Sequence, residues 1–204
     1  WQHPQRGLVP PVNFIPFAEQ TGFVRQLTLW VFEEVARLLA SPQARHLPLR
    51  VSVNLSTRDL LDPELSTRLA GILARHGVQA SAFCLEITES AIMDDPQRAE
   101  AMLNRLSEQG FKLSIDDFGT GYSSLAYLKR LPVDELKIDK SFVMGMEAGE
   151  DDAMIVRSTI DLAHNLGLTV VAEGVENQLI WNKLRELACD EAQGYFMSKP
   201  LPAS

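Results

Sequence analysis

The sequence predicts a parallel α/β protein of barrel type, on three observations. Short apolar and β-branched runs alternate with helical stretches six times along the chain, and regular alternation implies parallel strands joined by crossover helices. Five successive runs place a polar or charged residue on one face, near the C-terminal end of the run, where barrels of this class build their active sites. The dinucleotide fingerprint GxGxxG after a first strand is absent, which disfavours an open nucleotide-binding sheet. An open sheet and a closed barrel both fit the element order, and six strands are two short of the common eight.

Taken in order, residues 1–22 contain Pro4, Pro10, Pro11 and Pro16 and read as an extended connection with a short helix at 13–20. Apolar residues at helical spacing predict a helix over 27–39, ending before Ser41-Pro42. The run RVSVNL predicts a strand over 50–55, and a helix follows over 63–75, stopped by Gly77. FCLEITE predicts a strand over 83–89. Asp95-Pro96 opens a helix that runs to 109 and stops at Gly110. A strand over 112–117 leads through Gly119 and Gly121 to Ser123 and Ser124, which are suited to cap a short helix over 123–129. The rest reads as strand 135–139, helix 151–165 closed by Gly167, strand 168–173, helix 178–187 and strand 191–196. No linker divides the chain, so residues 1–204 read as one domain.

Residues two apart on a strand share a face. One face reads Val51/Val53, Leu85/Ile87, Leu113/Ile115, Leu136/Ile138 and Val170/Ala172, and would pack on helices. The other reads Ser52/Asn54, Cys84/Glu86/Thr88, Ser114/Asp116, Glu135/Lys137/Asp139 and Val171/Glu173, and would point to the axis. Several charges converging on one axis need a shared purpose, because a buried charge must be paired or neutralised. Asp117 has the wrong parity for that face and joins it only if the backbone is already leaving the strand.

Composition narrows the function. The chain has 204 residues, 46% of them hydrophobic, and a net charge of −8. That balance argues against a bare nucleic-acid surface, which draws on an excess of Lys and Arg; bound metal ions would still let an acidic protein hold phosphate. Cys84 and Cys189 form no CxxC pair and read as reduced thiols of a cytoplasmic protein. No apolar run nears the roughly 18 residues of a membrane span. The four histidines form no HExxH pair.

Asn54, Glu86 and Asp116 supply oxygen ligands for a hard cation such as Mg²⁺ or Mn²⁺. Asp117 extends the set toward a second ion, and two ions clamping one phosphoryl oxygen suit in-line attack on a phosphodiester. Lys137, among acids, stays protonated and can hold a water or a phosphate oxygen. Glu173 can bind metal or take a proton from water, and Gln193 adds a polar group on the last strand. Proton abstraction beside a carboxylate, as in enolase-type chemistry, uses similar groups, and spacing does not separate the two reactions. Asp117-Phe118-Gly119 matches the kinase metal triplet, but no HRD or glycine-rich loop accompanies it.

The segments HPQRGLVPPVNFIPFAEQTG (3–22), VSVNLS (51–56), LEITES (85–90), DDFGTGYSSLAYLKRLPVDELKIDKSF (116–142), VVAEGVE (170–176) and CDEAQGYFMSKPLP (189–202) together resemble the EAL family, the cyclic di-GMP phosphodiesterase domain of bacterial signalling. The resemblance implies a modified eight-stranded (β/α) barrel with one antiparallel strand. It implies hydrolysis of cyclic di-GMP to the linear dinucleotide with Mg²⁺ or Mn²⁺, two ions in all. By motif, Asn54, Glu86, Asp116 and Asp117 resemble the metal ligands. Lys137 and Glu173 resemble the groups that hold or activate water, and Gln193 the family's site glutamine. Glu89 resembles the glutamate that braces the loop at 117–124, near the family's dimer contact. A homodimer, and upstream sensor or GGDEF domains that could anchor the whole protein in a membrane, are implied by resemblance alone.

The Glu-Ala-Leu tripeptide of the family would precede Trp1. The resemblance therefore implies a first metal-binding glutamate, the arginine after it and two further strands upstream, and the sequence reads as a trimmed domain. After Glu176 the stretch NQLIWNKL departs from the family's more acidic pattern. A catalytically silent cyclic di-GMP receptor is the alternative, and it holds if the upstream tripeptide lacks its acid.

Overall fold

In place of the extended connection expected at the start, the first residues form a hairpin. In the computed structural model, which describes residues 1–120, 125–147 and 149–201, β1 (Gln2–His3) pairs antiparallel with β2 (Gly7–Leu8). His3 closes the turn, its Nδ1 accepting from the backbone N–H groups of Gln5 and Arg6. Then come α1 (Ile15–Thr21), α2 (Val24–Leu39), β3 (Val51–Leu55), α3 (Thr57–Leu60), α4 (Leu65–His76), β4 (Phe83–Thr88), α5 (Glu89–Asp94), α6 (Pro96–Glu108), β5 (Lys112–Phe118), α7 (Leu125–Leu128), β6 (Glu135–Ile138), α8 (Lys140–Gly145), α9 (Glu150–Asn165), β7 (Thr169–Glu173), α10 (Gln178–Glu186) and β8 (Glu191–Gln193).

Strands β3 to β8 form one parallel six-stranded sheet in strict sequence order. That is the strand order of a (β/α)8 barrel, the order expected from the sequence. The described chain divides into two compact units: residues 1–85 with 94–111, and residues 86–93 with 112–204.

In the first unit, α2 buries Val24, Thr28, Phe32, Ala36 and Leu39, a stripe at helical spacing. Phe32 stacks on Phe83 with ring centroids 4.1 Å apart, and Phe111 meets Phe32 edge-on at 5.8 Å. Asp59 is buried at the start of α3 and completes a capping box. Ser56 accepts from the Asp59 N–H, and Asp59 accepts from the Ser56 N–H and hydroxyl and from the Thr28 hydroxyl.

In the second unit, Leu113, Ile115, Leu136, Ile138, Val170 and Ala172 are buried from strands, and Val143, Val156, Ile160, Ala163, Ile180 and Leu184 from helices. The apolar strand face read from the sequence is thus core. Two acids fix strand starts. Asp134 accepts from the Leu113 N–H at 3.0 Å and from Lys112 at 2.6 Å, and Asp190 accepts from the Val170 N–H at 2.8 Å.

Several expected boundaries move. The strand expected over 83–89 stops at Thr88, because Glu89 begins α5. The strand expected over 135–139 stops at Ile138, and the strand expected over 191–196 stops at Gln193. The helix expected over 123–129 is seen as α7; Ser123 and Ser124, expected to cap it, lie outside the described residues.

Candidate active site

The site is assembled at the C-terminal ends of β4 to β7, from residues of the second unit. Its centre is Lys137. Register pairs Ile115 with Leu136 and Phe118 with Ile138, with an irregularity between. Two residues of β5, Asp116 and Asp117, therefore stand against the single Lys137 of β6. This is a β-bulge, a device that re-aims side chains beside functional sites. Asp117 is left-handed, with φ +53°, a conformation that Asp tolerates better than most residues. The bulge resolves the parity problem: both carboxylates of the pair reach the site. The chain then turns on Gly119, φ +99°, where a Cβ would lie 3.0 Å from the Phe142 ring. Thr120 donates its hydroxyl back to the Asp117 carbonyl at 2.8 Å.

The Lys137 ammonium lies 2.8 Å from Glu86 Oε1, 2.5 Å from Glu173 Oε1 and 3.4 Å from Asp116 Oδ1. Lys137 is 4% exposed and Glu86 5%. Burial by itself would push the lysine pKa down. Hydrogen bonds to Glu173 and Glu86, with the charges of Glu86 and Asp116, outweigh it and hold the ammonium above its ordinary value. Burial raises the pKa of Glu173, and the contact with Lys137 opposes the rise. Asp117 is pushed up to about 6, first by burial, then by the Asp116 charge and by a hydrogen bond with Asp139.

Among the described residues, Asp116, Asp117 and Glu173 place ligand oxygens within 4.8 Å of one another. Three carboxylates so close repel unless a cation lies between them, and an all-oxygen set suits a hard divalent ion. The residues present fit the metal that the sequence implies.

Residues 1–200 match the EAL domain. The chain belongs to the EAL family. It is 42% identical over 204 residues to the bifunctional diguanylate cyclase/cyclic di-GMP phosphodiesterase MucR of Pseudomonas aeruginosa, a match covering 100% of this chain and 30% of MucR. It is 45% identical over 203 residues to the cyclic di-GMP phosphodiesterase NbdA of the same organism, covering 99% and 26%. The chain thus spans less than a third of the length of these relatives. Among solved structures, the PaMucR phosphodiesterase in complex with c-di-GMP matches with a TM-score of 0.95 at 42% identity, covering 100% of this chain and 83% of that one. The FimX EAL domain from Pseudomonas aeruginosa bound to c-di-GMP matches with a TM-score of 0.91 at 25% identity, covering 99% and 81%.

Within this EAL chain, Glu86, Asp116, Asp117, Lys137 and Glu173 come together as described. Gln193 is exposed at the end of β8, in register with Glu173 of β7. Asn54 is exposed on β3, in the other unit. Glu89 is buried at the start of α5, against a small cavity lined by Ile92, Met93, Ile115, Tyr127, Leu128 and Leu131. Neither carboxylate oxygen of Glu89 has a hydrogen-bond partner among the described residues. Gly121 to Ser124 of the loop it was expected to brace lie outside them.

One site neighbour, set on the polar face in the sequence reading, was given the wrong element. Asp139, placed there at the end of a strand, has left it and caps α8, accepting from the Ser141 N–H at 2.9 Å. The pattern Asp139-Lys140-Ser141 before an apolar run was the available signal.

Proposed function

We propose that this chain hydrolyses one phosphodiester bond of cyclic di-GMP to the linear dinucleotide, using Mg²⁺ or Mn²⁺ and two ions in all. The observation that carries this reading is the buried Lys137 bridging Glu86, Asp116 and Glu173, with Asp117 folded in beside them. Its support is that the chain shares more than 40% identity with two relatives named as cyclic di-GMP phosphodiesterases.

Asp116, Asp117 and Glu173 would hold the metal, with Glu86 beside them, and Asn54 is assigned the same task by its motif. A divalent cation bound there supplies charge for the phosphoryl oxygens and lowers the pKa of water. Glu173 accepts the proton of the attacking water; its raised pKa makes it a better base than a solvated carboxylate. Lys137 keeps its proton and orients Glu173 while facing the phosphate. Gln193 binds the substrate from the neighbouring strand end. Glu89 holds the loop after β5.

The domain acts as one unit over residues 1–204, as a homodimer in the cytoplasm, downstream of sensor or GGDEF domains. The short span of the match on MucR and NbdA leaves room for such segments in those relatives. No described helix is long and apolar enough to cross a membrane.

The test is incubation of cyclic di-GMP with the protein and Mg²⁺ or Mn²⁺, beside Asp116→Ala. Linear dinucleotide that appears only with the unaltered protein supports the enzyme. Binding of cyclic di-GMP without turnover supports the silent receptor instead.

A further inference from the structure

We propose that Lys137 is a built-in competitor of the metal, a tethered cation that sets how tightly the site holds its divalent ion. The inference rests on the metal-dependent reading above and adds a role for the lysine besides facing the substrate. Two of the three carboxylates that could hold an ion, Asp116 and Glu173, are the same groups that Lys137 contacts, at 3.4 and 2.5 Å. An ammonium so close to those oxygens occupies part of the space and much of the negative charge that an ion would use.

Two effects of the lysine oppose each other. It gathers the carboxylates, which pre-orders them for a metal. It also repels a second cation at short range, through a buried environment where charges are weakly screened. Repulsion wins for two reasons. Asp116 and Asp117 are ordered without the lysine, by the bulge and by the Asp117 N–H donated to Asp116 Oδ1 at 3.1 Å. The shortest contact of the lysine is to Glu173, a ligand it shares with the ion instead of one it merely steadies. Glu86 is the partner outside the three-carboxylate cluster, at 2.8 Å, and it is where the ammonium retreats when the ion takes Asp116 and Glu173. Lys137 and the metal therefore divide four acids between them: each cation weakens the hold of the other, and neither leaves the carboxylates bare. The consequence is an exchangeable metal whose occupancy follows its concentration.

The experiment is Mn²⁺ binding, followed by the electron paramagnetic resonance of free Mn²⁺, for the unaltered protein, Lys137→Gln and Lys137→Arg, each checked for native circular dichroism. The expected result is a dissociation constant tightened about tenfold or more in Lys137→Gln, and returned to within about threefold of the unaltered value in Lys137→Arg, which restores the charge. Unchanged or weaker Mn²⁺ binding in Lys137→Gln overturns the proposal. Should Lys137→Gln fail to fold, the side-chain ammonium resonance of Lys137 in the unaltered protein decides: Mg²⁺ is expected to shift it and speed its proton exchange, and an unmoved resonance at saturating Mg²⁺ overturns the proposal. Turnover of cyclic di-GMP is read separately. Turnover with no change in Mn²⁺ affinity sinks the role of the lysine alone, whereas an unaltered protein that binds no Mn²⁺ sinks both readings.

Discussion

The Asp117 carboxyl is hydrogen-bonded to Asp139, and Asp139 in turn caps α8. One acid is pushed up and the other held down. Burial disfavours charge on both, but Asp139 is compensated by the Ser141 hydroxyl and N–H and stays below the usual carboxylate range. Below about pH 6 the proton of the pair therefore resides on Asp117. The contact links the bulge on β5 to the start of α8, so the site and the helix after β6 share one hydrogen bond.

Removing Asp139 should act at both places. Asp139→Ala deletes the cap, at about 1 kcal/mol of stability, and takes away one of the groups that keep Asp117 protonated. Urea unfolding without metal should show the loss. Carboxyl-carbon NMR should show Asp117 titrating at about pH 6 in the unaltered protein and lower in Asp139→Ala. If it titrates no lower in Asp139→Ala, burial and Asp116 alone raise it.

A pH dependence follows from Asp117 itself. Its pKa rises from 3.8 to about 6 on folding, so the folded state binds this proton more tightly than the unfolded chain does. The stability gained is greatest below about pH 4 and is lost as pH climbs to about 6. In metal-free buffer, Asp117→Asn should be flatter than the unaltered protein across that window, measured as melting temperature against pH. Saturating Mg²⁺ should flatten the unaltered protein as well, since a cation stabilises the ionised form. An identical slope in both proteins would refute the assignment.

Most of the site was legible in the sequence because strand parity carries over to burial: Glu86, Asp116, Lys137 and Glu173 share one face and do converge. Asp117 was legible only as a conflict, since alternation cannot show a bulge, and the bulge appears only in the register of β5 against β6. Asp139 was misplaced because an Asp after an apolar run reads equally as a strand end or a helix cap, and its Ser141 contact decides. The short helices α3, α5 and α8 span four to six residues, too few to show a helical period. Glu89 illustrates another limit. Periodicity extends the strand over it, whereas it is the first residue of a helix with a buried carboxylate.

The role of Glu173 gives a kinetic prediction. Its contact with Lys137 and its burial suit a base whose charge is held for proton transfer. Glu173→Gln keeps the shape and one acceptor oxygen but removes the basicity and one charge of the metal cluster, so turnover is read at saturating Mn²⁺. Turnover of cyclic di-GMP should fall by about 10²–10⁴-fold, while binding of the nucleotide, followed by calorimetry, should change by less than about tenfold. Equal losses in both would make Glu173 a binding group and not a base.

The tightest backbone approach near the site yields the last prediction. At Gly194, just after β8, a Cβ would lie 2.1 Å from the Val175 carbonyl oxygen and 2.4 Å from the Val175 nitrogen. Neither atom can yield easily, because both are hydrogen-bonded: the Val175 N–H donates to the Gln193 carbonyl and the Val175 carbonyl accepts from the Phe196 N–H, each at 3.0 Å. Glu173 and Gln193 are register partners at the same strand ends. Gly194→Ala must therefore part the segment after β7 from the segment after β8, and carry Glu173 with it. The expected cost is about 2–3 kcal/mol or more by urea unfolding, with turnover lost beyond what the unfolded fraction explains. Gly167→Ala is the control. Gly167 is left-handed, φ +75°, so alanine is strained there by the backbone alone, but a Cβ there meets nothing within 4 Å, and it closes α9 ahead of β7, at the end of that strand opposite Glu173. It should cost about 1 kcal/mol and leave turnover per folded molecule unchanged. If the two variants lose turnover equally, the strap between Val175 and Gly194 does not position Glu173.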